Sequence, residues 1–172
     1  VRNTGFARAF ADSLGLFAPV EEIEEDSARG AVARVEAGAY LGRHGRAEFD
    51  IPGITFGGRY DGSPAIVPDG SRPPPDAPNT DTPTACPGGR PPHAWLADDS
   101  SLFDAFGPEW TLLVLGEHAP DPAPFTSAMQ RFRVDLRIVR LPDPGLLALY
   151  EAPLVLIRPD QIVAWRGNTG AG

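Results

Sequence analysis

The side chains able to carry chemistry in this 172-residue sequence are few and scattered. There is one cysteine, Cys86, so no disulfide, dithiol redox pair or multi-cysteine zinc site can form within one chain. A nucleophilic thiol needs an electropositive, accessible setting, and Cys86 stands in a proline-rich stretch, where it reads as an inert thiol. His44, His93 and His118 lie far apart and lack the H-x-x-x-H spacing that sets two imidazoles around a metal. They read as structural or surface histidines. Asp98-Asp99 beside Ser100-Ser101 resembles an acid pair, but adjacent polar residues ahead of an apolar run more often make a turn and a helix cap. The acidic group Glu21, Glu22, Glu24, Glu25 and Asp26 reads as a solvated helix start rather than a metal site. No G-x-G-x-x-G follows a strand, Gly57-Gly58 being no substitute, and residue order gives no Ser-His-Asp set. The sequence predicts no catalytic, cofactor-binding or metal-binding residue.

Bulk properties narrow the function classes further. A net charge of −8 opposes nucleic-acid binding, which needs Lys and Arg to displace counterions. No apolar run approaches the roughly 20 residues that cross a bilayer, and no basic segment followed by an apolar one opens the chain. A soluble, cytoplasmic protein is expected, without nucleic acid or membrane as partner. The hydrophobic share of 42% suits a folded chain. Many of the 20 prolines fall between Pro64 and Pro92 and mark a connector.

Around that connector the pattern predicts helices on one side and a sheet on the other. Phe6, Phe10, Leu14 and Phe17 share one face of a helix over 3–17, with Thr4 as its N-cap. A second helix is predicted over 20–40, starting after Pro19 with the acidic group in its first turns and a thin apolar side of Ile23, Ala31, Val35 and Ala39. Residues 54–67, with Gly57-Gly58 and Asp61-Gly62, read as short extended pieces and a turn. Residues 68–87, with Pro73-Pro74-Pro75, read as an extended surface arm.

Beyond the arm, WTLLVLG at 110–116 is an uninterrupted apolar run, as in a buried central strand. A short helix over 125–132, a strand over 135–141 and a polar stretch over 142–148 follow. Strands over 154–157 and 162–165 close the pattern, joined by Arg158-Pro159-Asp160-Gln161. Proline second and aspartate third fit a type I turn. Strand, helix, strand and antiparallel hairpin is the order of a thioredoxin-like α/β sheet with flanking helices. Its usual terminal helix has only 168–172 left to form in. In that fold Cys-x-x-Cys follows the first central strand, and this chain has Glu117-His118-Ala119-Pro120-Asp121 there, which excludes thioredoxin-type exchange. Pro153, just before a strand, makes Ala152-Pro153 the expected cis bond; the alternative is a trans proline entering an edge strand.

Three stretches in fixed order carry a family likeness. Pro87-Gly88-Gly89-Arg90-Pro91-Pro92-His93-Ala94-Trp95-Leu96 resembles the PG-x-R-x-PH-x-WL stretch of FAD-dependent aromatic hydroxylases. Ser101-Leu102-Phe103-Asp104 with Phe106-Gly107 and Trp110-Thr111-Leu112-Leu113 resembles their SL-F/Y-D-x-FG…TLL segment. Leu156-Ile157-Arg158-Pro159-Asp160 with Val163-Ala164-Trp165-Arg166 resembles their LVRPD-x-x-VAWR ending. Upstream, Arg59-Tyr60, Ser63-Pro64 and Ile66-Val67 are similar to the RY-x-x-SP-x-IV junction after the catalytic region.

The resemblance implies that residues 1–67 are the end of a catalytic region, 68–96 a connecting arm and 97–172 a thioredoxin-like domain lacking CxxC. It also implies a parent enzyme that uses FAD, NAD(P)H and oxygen to hydroxylate a phenolic or polyketide ring. This portion would hold no cofactor, serve stability and subunit contacts, and be an excised or processed fragment. Its implied partners are its own catalytic FAD domain and, through the Phe6, Phe10 and Phe17 face, a second copy. Arg90 and His93 lie in the most specific stretch, where Trp95 and Leu96 are expected to anchor the segment in a pocket. Two rivals remain: a thioredoxin-like reductase or peroxidase working through Cys86, and a free-standing adaptor presenting the Pro68 to Pro92 arm.

Overall fold

A computed structural model describes residues 2–14, 18 and 20–169. The chain divides into two compact units, Val1–Phe56 with Asp76–Asp81, and Gly57–Pro75 with Thr82–Gly172. Residues 57–67, grouped by sequence with the helices before them, therefore pack with the sheet.

In the first unit, helix α1 (Arg2–Leu14) has begun by Arg2, so Thr4 lies inside its first turn rather than capping it. Phe6 and Phe10 are half-buried, whereas Phe17 and Pro19 lie outside the described residues. Helix α2 (Ala28–Phe49) starts later and runs further than its sequence pattern implies. Its cap is Ser27, whose Oγ accepts from Gly30 N–H at 3.0 Å. The acidic group is thereby excluded from α2, and Glu21–Glu24 forms a separate 3-10 turn. Arg34 holds that turn by donating to Ile23 O and Glu25 O, at 2.8 and 2.9 Å. A Cβ at Gly30 would strike Glu25 O, so glycine is what permits this close approach. The expected apolar side fails for the same reason: Ile23 is not on α2, and Ala31, Val35 and Ala39 are exposed. The turn reaches only the narrow side where Gly30 and Ala33 are buried. The short helix α3 (Pro52–Thr55) replaces the first of the extended pieces expected after Ile54.

The second unit is a four-stranded mixed sheet of β1 (Trp110–Leu115), β2 (Leu136–Leu141), β3 (Leu154–Ile157) and β4 (Val163–Gly167). Strand order is β2-β1-β3-β4, with β1 parallel to β2, antiparallel to β3, and β3 antiparallel to β4. Helix α4 (Ala123–Arg131) makes the parallel crossover and α5 (Pro144–Tyr150) leads from β2 into β3. This is the thioredoxin-like α/β arrangement. The apolar run of β1 is explained by burial on both faces. Leu113 and Leu115 pack with Leu146 and Tyr150 of α5 and with Ala85 of the arm. Leu112 and Val114 pack on the other face, against Phe125 of α4 and Trp165.

Two readings of this half need correction. The polar stretch over 142–148 contains α5, because Asp143 caps it by accepting from Gly145 N–H at 2.7 Å and Pro144 supplies a ready first helical φ. Ala152-Pro153 is trans, as is every peptide bond among the described residues. Pro153 O accepts from Leu115 N–H at 2.8 Å, so the proline enters a central strand, not an edge one. The hairpin turn closes as expected, with Gln161 N–H donating to Arg158 O at 2.9 Å. Gln161 itself adopts a left-handed φ of 59° after the turn, the usual device of a three-residue hairpin loop.

Candidate functional site

The junction, the Pro87–Leu96 stretch and the C-terminal stretch meet along β4. Tyr60 N–H donates to Gly88 O (2.9 Å), Gly88 N–H to Val163 O (2.8 Å), and Val163 N–H to Gly89 O (3.0 Å). Val67 N–H adds a bond to Ala164 O (2.8 Å). These bonds seal the free edge of β4 with the junction and arm segments, satisfying backbone groups that an open edge would expose. Gly88 has φ +94°, which the turn into this seal requires.

Two arginines lock the seal from the side-chain level. Arg166, 7% exposed, pairs through Nε with Asp69 at 2.6 Å and through Nη1 with Glu151 at 2.9 Å, and Nη1 also donates to Tyr150 O at 3.0 Å. Partial burial pushes Asp69 upward, but hydrogen bonds from Ser71 and Arg166 outweigh it and hold the carboxyl below its ordinary value. Arg166 responds in the mirror sense, desolvation working against its charge and Asp69 and Glu151 raising it. Tyr150 is buried, which pushes its phenol upward, and its hydroxyl donates to Pro92 O at 2.8 Å. Arg59 donates to Pro87 O at 2.8 Å and pairs with Asp61 at 2.9 Å. The sequence reading missed Asp69, Tyr150 and Glu151. Asp69 and Tyr150 find their partners 97 and 58 residues away, and no local spacing marks them.

The residues singled out beforehand do not converge. Cys86 is buried; its sulfur accepts from Ser71 Oγ at 3.0 Å and lies 3.6 Å from the Arg59 guanidinium. Burial denies it the access a peroxidase or reductase needs. His118 is exposed in the loop after β1. His44 stacks on Phe10 at 4.2 Å between α1 and α2. Asp98 accepts from Ser100 N–H at 3.1 Å, making the expected turn. His93 bonds Ser101 Oγ at 3.0 Å and meets Trp95 and Phe103 edge-on, while Arg90 lies over Phe103. Of the two expected anchors, Leu96 packs against the sheet's core, whereas Trp95 is 71% exposed and does not anchor. Arg59, Tyr150 and Arg166 add to the hold on the arm. Residues 85–89, 91 and 92 are buried, so this part of the arm is packed rather than presented as a ligand.

No group of three or more metal-ligating side chains occurs among the described residues, and none of their helices is long and apolar enough to cross a membrane. The βαβ unit offers one helix start where a dinucleotide phosphate would sit. That start is already taken: Asp121 accepts from Ala123 N–H at 3.0 Å, Pro122 precedes the helix, and Glu117 adds negative charge to the loop. With that N–H taken and acceptors beside it, this helix start lacks the free donors that hold a pyrophosphate.

Residues 84–172 match the family described as aromatic-ring hydroxylase, C-terminal. The FAD-dependent monooxygenase opdD of Penicillium oxalicum is 32% identical over 171 residues, covering 96% of this chain and 32% of that protein. The solved structure of native and K252c-bound RebC-10x superposes with a TM-score of 0.79 at 36% identity, covering 94% of this chain and 30% of that one. The flavin-dependent monooxygenase PieE, solved with FAD and substrate, gives a TM-score of 0.64 at 25% identity, covering 98% and 34%. The chain thus spans about a third of the length of the relatives it matches. With residues 84–172 matching the family and the fold superposing on flavin monooxygenases across nearly the whole chain, the chain belongs to the C-terminal family of aromatic-ring hydroxylases.

Proposed function

We propose that this chain is the non-catalytic C-terminal portion of an FAD- and NAD(P)H-dependent monooxygenase that hydroxylates phenolic or polyketide rings. The observation that carries this reading is the use made of the family-like residues. Arg59 and Arg166 are spent on holding the arm, joined by Tyr150 from outside those stretches, and the loop that carries thiols in redox relatives of the fold holds Glu117 and His118. FAD and NAD(P)H would bind to the remaining two-thirds of such an enzyme. The role left to this portion is stability and contact with its own catalytic region or a second subunit.

Mixing the purified chain with FAD and then NAD(P)H tests the reading. Absorbance after desalting is expected to show no retained flavin, and the nucleotide to stay reduced. Retained flavin with nucleotide oxidation would place a catalytic site within these 172 residues and sink the proposal.

A further inference from the structure

The two edges of the sheet differ. Gly88, Gly89 and Val67 seal β4, whereas no backbone hydrogen bond among the described residues reaches the outer side of β2. Alternate residues of an edge strand turn N–H and C=O outward, so the six residues of β2, about 20 Å long, offer about three donors and three acceptors. Proline or a bulge would blunt such an edge. LRIVRL contains no proline, and its register with β1 runs unbroken from Leu136 to Leu141. The charge here also departs from the rest of the molecule. Four of the chain's 15 basic residues, Arg131, Arg133, Arg137 and Arg140, fall from the end of α4 to β2 with Asp135 the one acid among them, in a chain of net charge −8. All four are exposed, and none is in a salt bridge among the described residues. Arg137 shares the face of Val139 and Leu141, its stem beside Gly107, and Arg140 shares the face of Leu136 and Ile138. The open edge thus carries a cation on each face of the sheet. Phe132, 69% exposed beneath the guanidinium of Arg131, extends this surface past the start of the strand.

The chemistry of the edge decides its occupant. Outward N–H and C=O groups at strand spacing are completed by another extended polypeptide, whose backbone supplies affinity and whose side chains supply selectivity. A second copy is opposed by charge. Antiparallel pairing of β2 with its twin about Ile138 or Val139 sets Arg137 or Arg140 diagonal to the same residue of the twin, and pairing between them sets Arg137 opposite Arg140. A nucleic acid is opposed by the net charge of the whole chain and leaves the strand's backbone groups unused. An extended segment with carboxylates three residues apart places one beside each arginine, on either face, while its backbone completes the ladder.

We propose that the outer edge of β2 is the docking site for an extended acidic segment of a separate protein, which adds a strand to the sheet and sets carboxylates beside Arg137 and Arg140. The inference goes beyond the proposed function and rests on the sheet unit alone. Its probe is a fluorescein-labelled peptide of eight residues, valine and threonine with two glutamates three residues apart. The peptide is titrated with this chain and with the full-length protein that carries it; fluorescence anisotropy follows binding and amide exchange locates it. Saturable binding to both is expected, with exchange slowed over 136–141 and unchanged over β4. Binding should weaken about tenfold when lysine replaces the two glutamates, and by a similar factor when Arg137→Glu and Arg140→Glu are introduced together. No binding, equal binding of the two peptides by the wild-type chain, or protection outside β2 would overturn the proposal. Binding to the chain but not to the full-length protein would mean that the rest of that polypeptide covers the edge, which overturns it too. Protection of 136–141 that grows with protein concentration before any peptide is added would seat a second copy there, and tighter binding of a single-stranded DNA oligonucleotide would make the patch a polyanion site; each of these also overturns it.

Discussion

Arg166 sits between two carboxylates and a carbonyl with little access to water, so its partners carry more weight than surface pairs do. Removing one of them leaves a buried charge poorly matched. Asp69→Asn is expected to lower stability by about 1–3 kcal/mol, read as a shift in urea midpoint at unchanged slope. The carboxyl of Asp69 is held below its ordinary value in the folded chain. Its contribution is therefore present above the unfolded-state pKa and lost as pH falls through the lower folded one. Stability of the wild-type chain should fall on acidification below about pH 4, and the Asn variant should show a shallower fall; equal slopes would remove Asp69 from the account. Tyr150→Phe deletes the donor to Pro92 O and is expected to cost about 1–2 kcal/mol, measured the same way. Cys86, buried beneath Ser71 and Arg59, should react with a thiol reagent only as fast as the surrounding structure opens. Rapid labelling in native conditions would restore the thiol-enzyme reading.

Among the elements, what the sequence made legible follows from how local the cause is. The apolar run of β1 and the Arg158-Pro159-Asp160-Gln161 turn declare themselves within a few residues, and the sheet agrees with both. Helix α5 was hidden because its seven residues are too few for periodicity to emerge, and Pro142 and Pro144 mask it as a loop. Its cap was visible in principle in Asp143-Pro144, a helix-start signal. Asp143→Ala should cost about 1 kcal/mol, read by thermal denaturation, with Leu146 and Tyr150 losing register against the core. The boundary of α2 was misplaced because the acidic run favours a helix start as strongly as Ser27 does, and only the fold-back of Arg34 onto Ile23 O and Glu25 O separates them. The clamp residues were illegible for a different reason: Asp69 and Arg166 meet through tertiary packing, with no local signature.

At the scale of the molecule, the two units differ in what sustains them. The sheet unit holds the buried aliphatic residues of β1, β3 and β4 with Tyr150 and Leu102, whereas among the described residues of the helical unit's helices the buried ones are Gly30, Ala33 and Gly53. Large apolar side chains excluded from water supply most of the stabilisation of a small fold. A chain running from Gly57 to Gly172 is accordingly expected to keep a cooperative unfolding transition by circular dichroism. Amide exchange in the full chain should be fast over α1 and α2 and slow over β1 and β3. Uniform protection across both units would contradict this division.

The path of the chain between these units has a consequence for cutting it. The backbone passes from the first unit to the second at Phe56–Gly57, returns for Asp76–Asp81, and leaves again at Thr82. The returning segment is held where Asn79 donates to Ala47 O at 2.8 Å and to Asp50 O, at the end of α2. A single proteolytic nick at Gly57 would therefore divide the first unit itself, since the second fragment still carries Asp76–Asp81 and with it the Asn79 bonds to the end of α2.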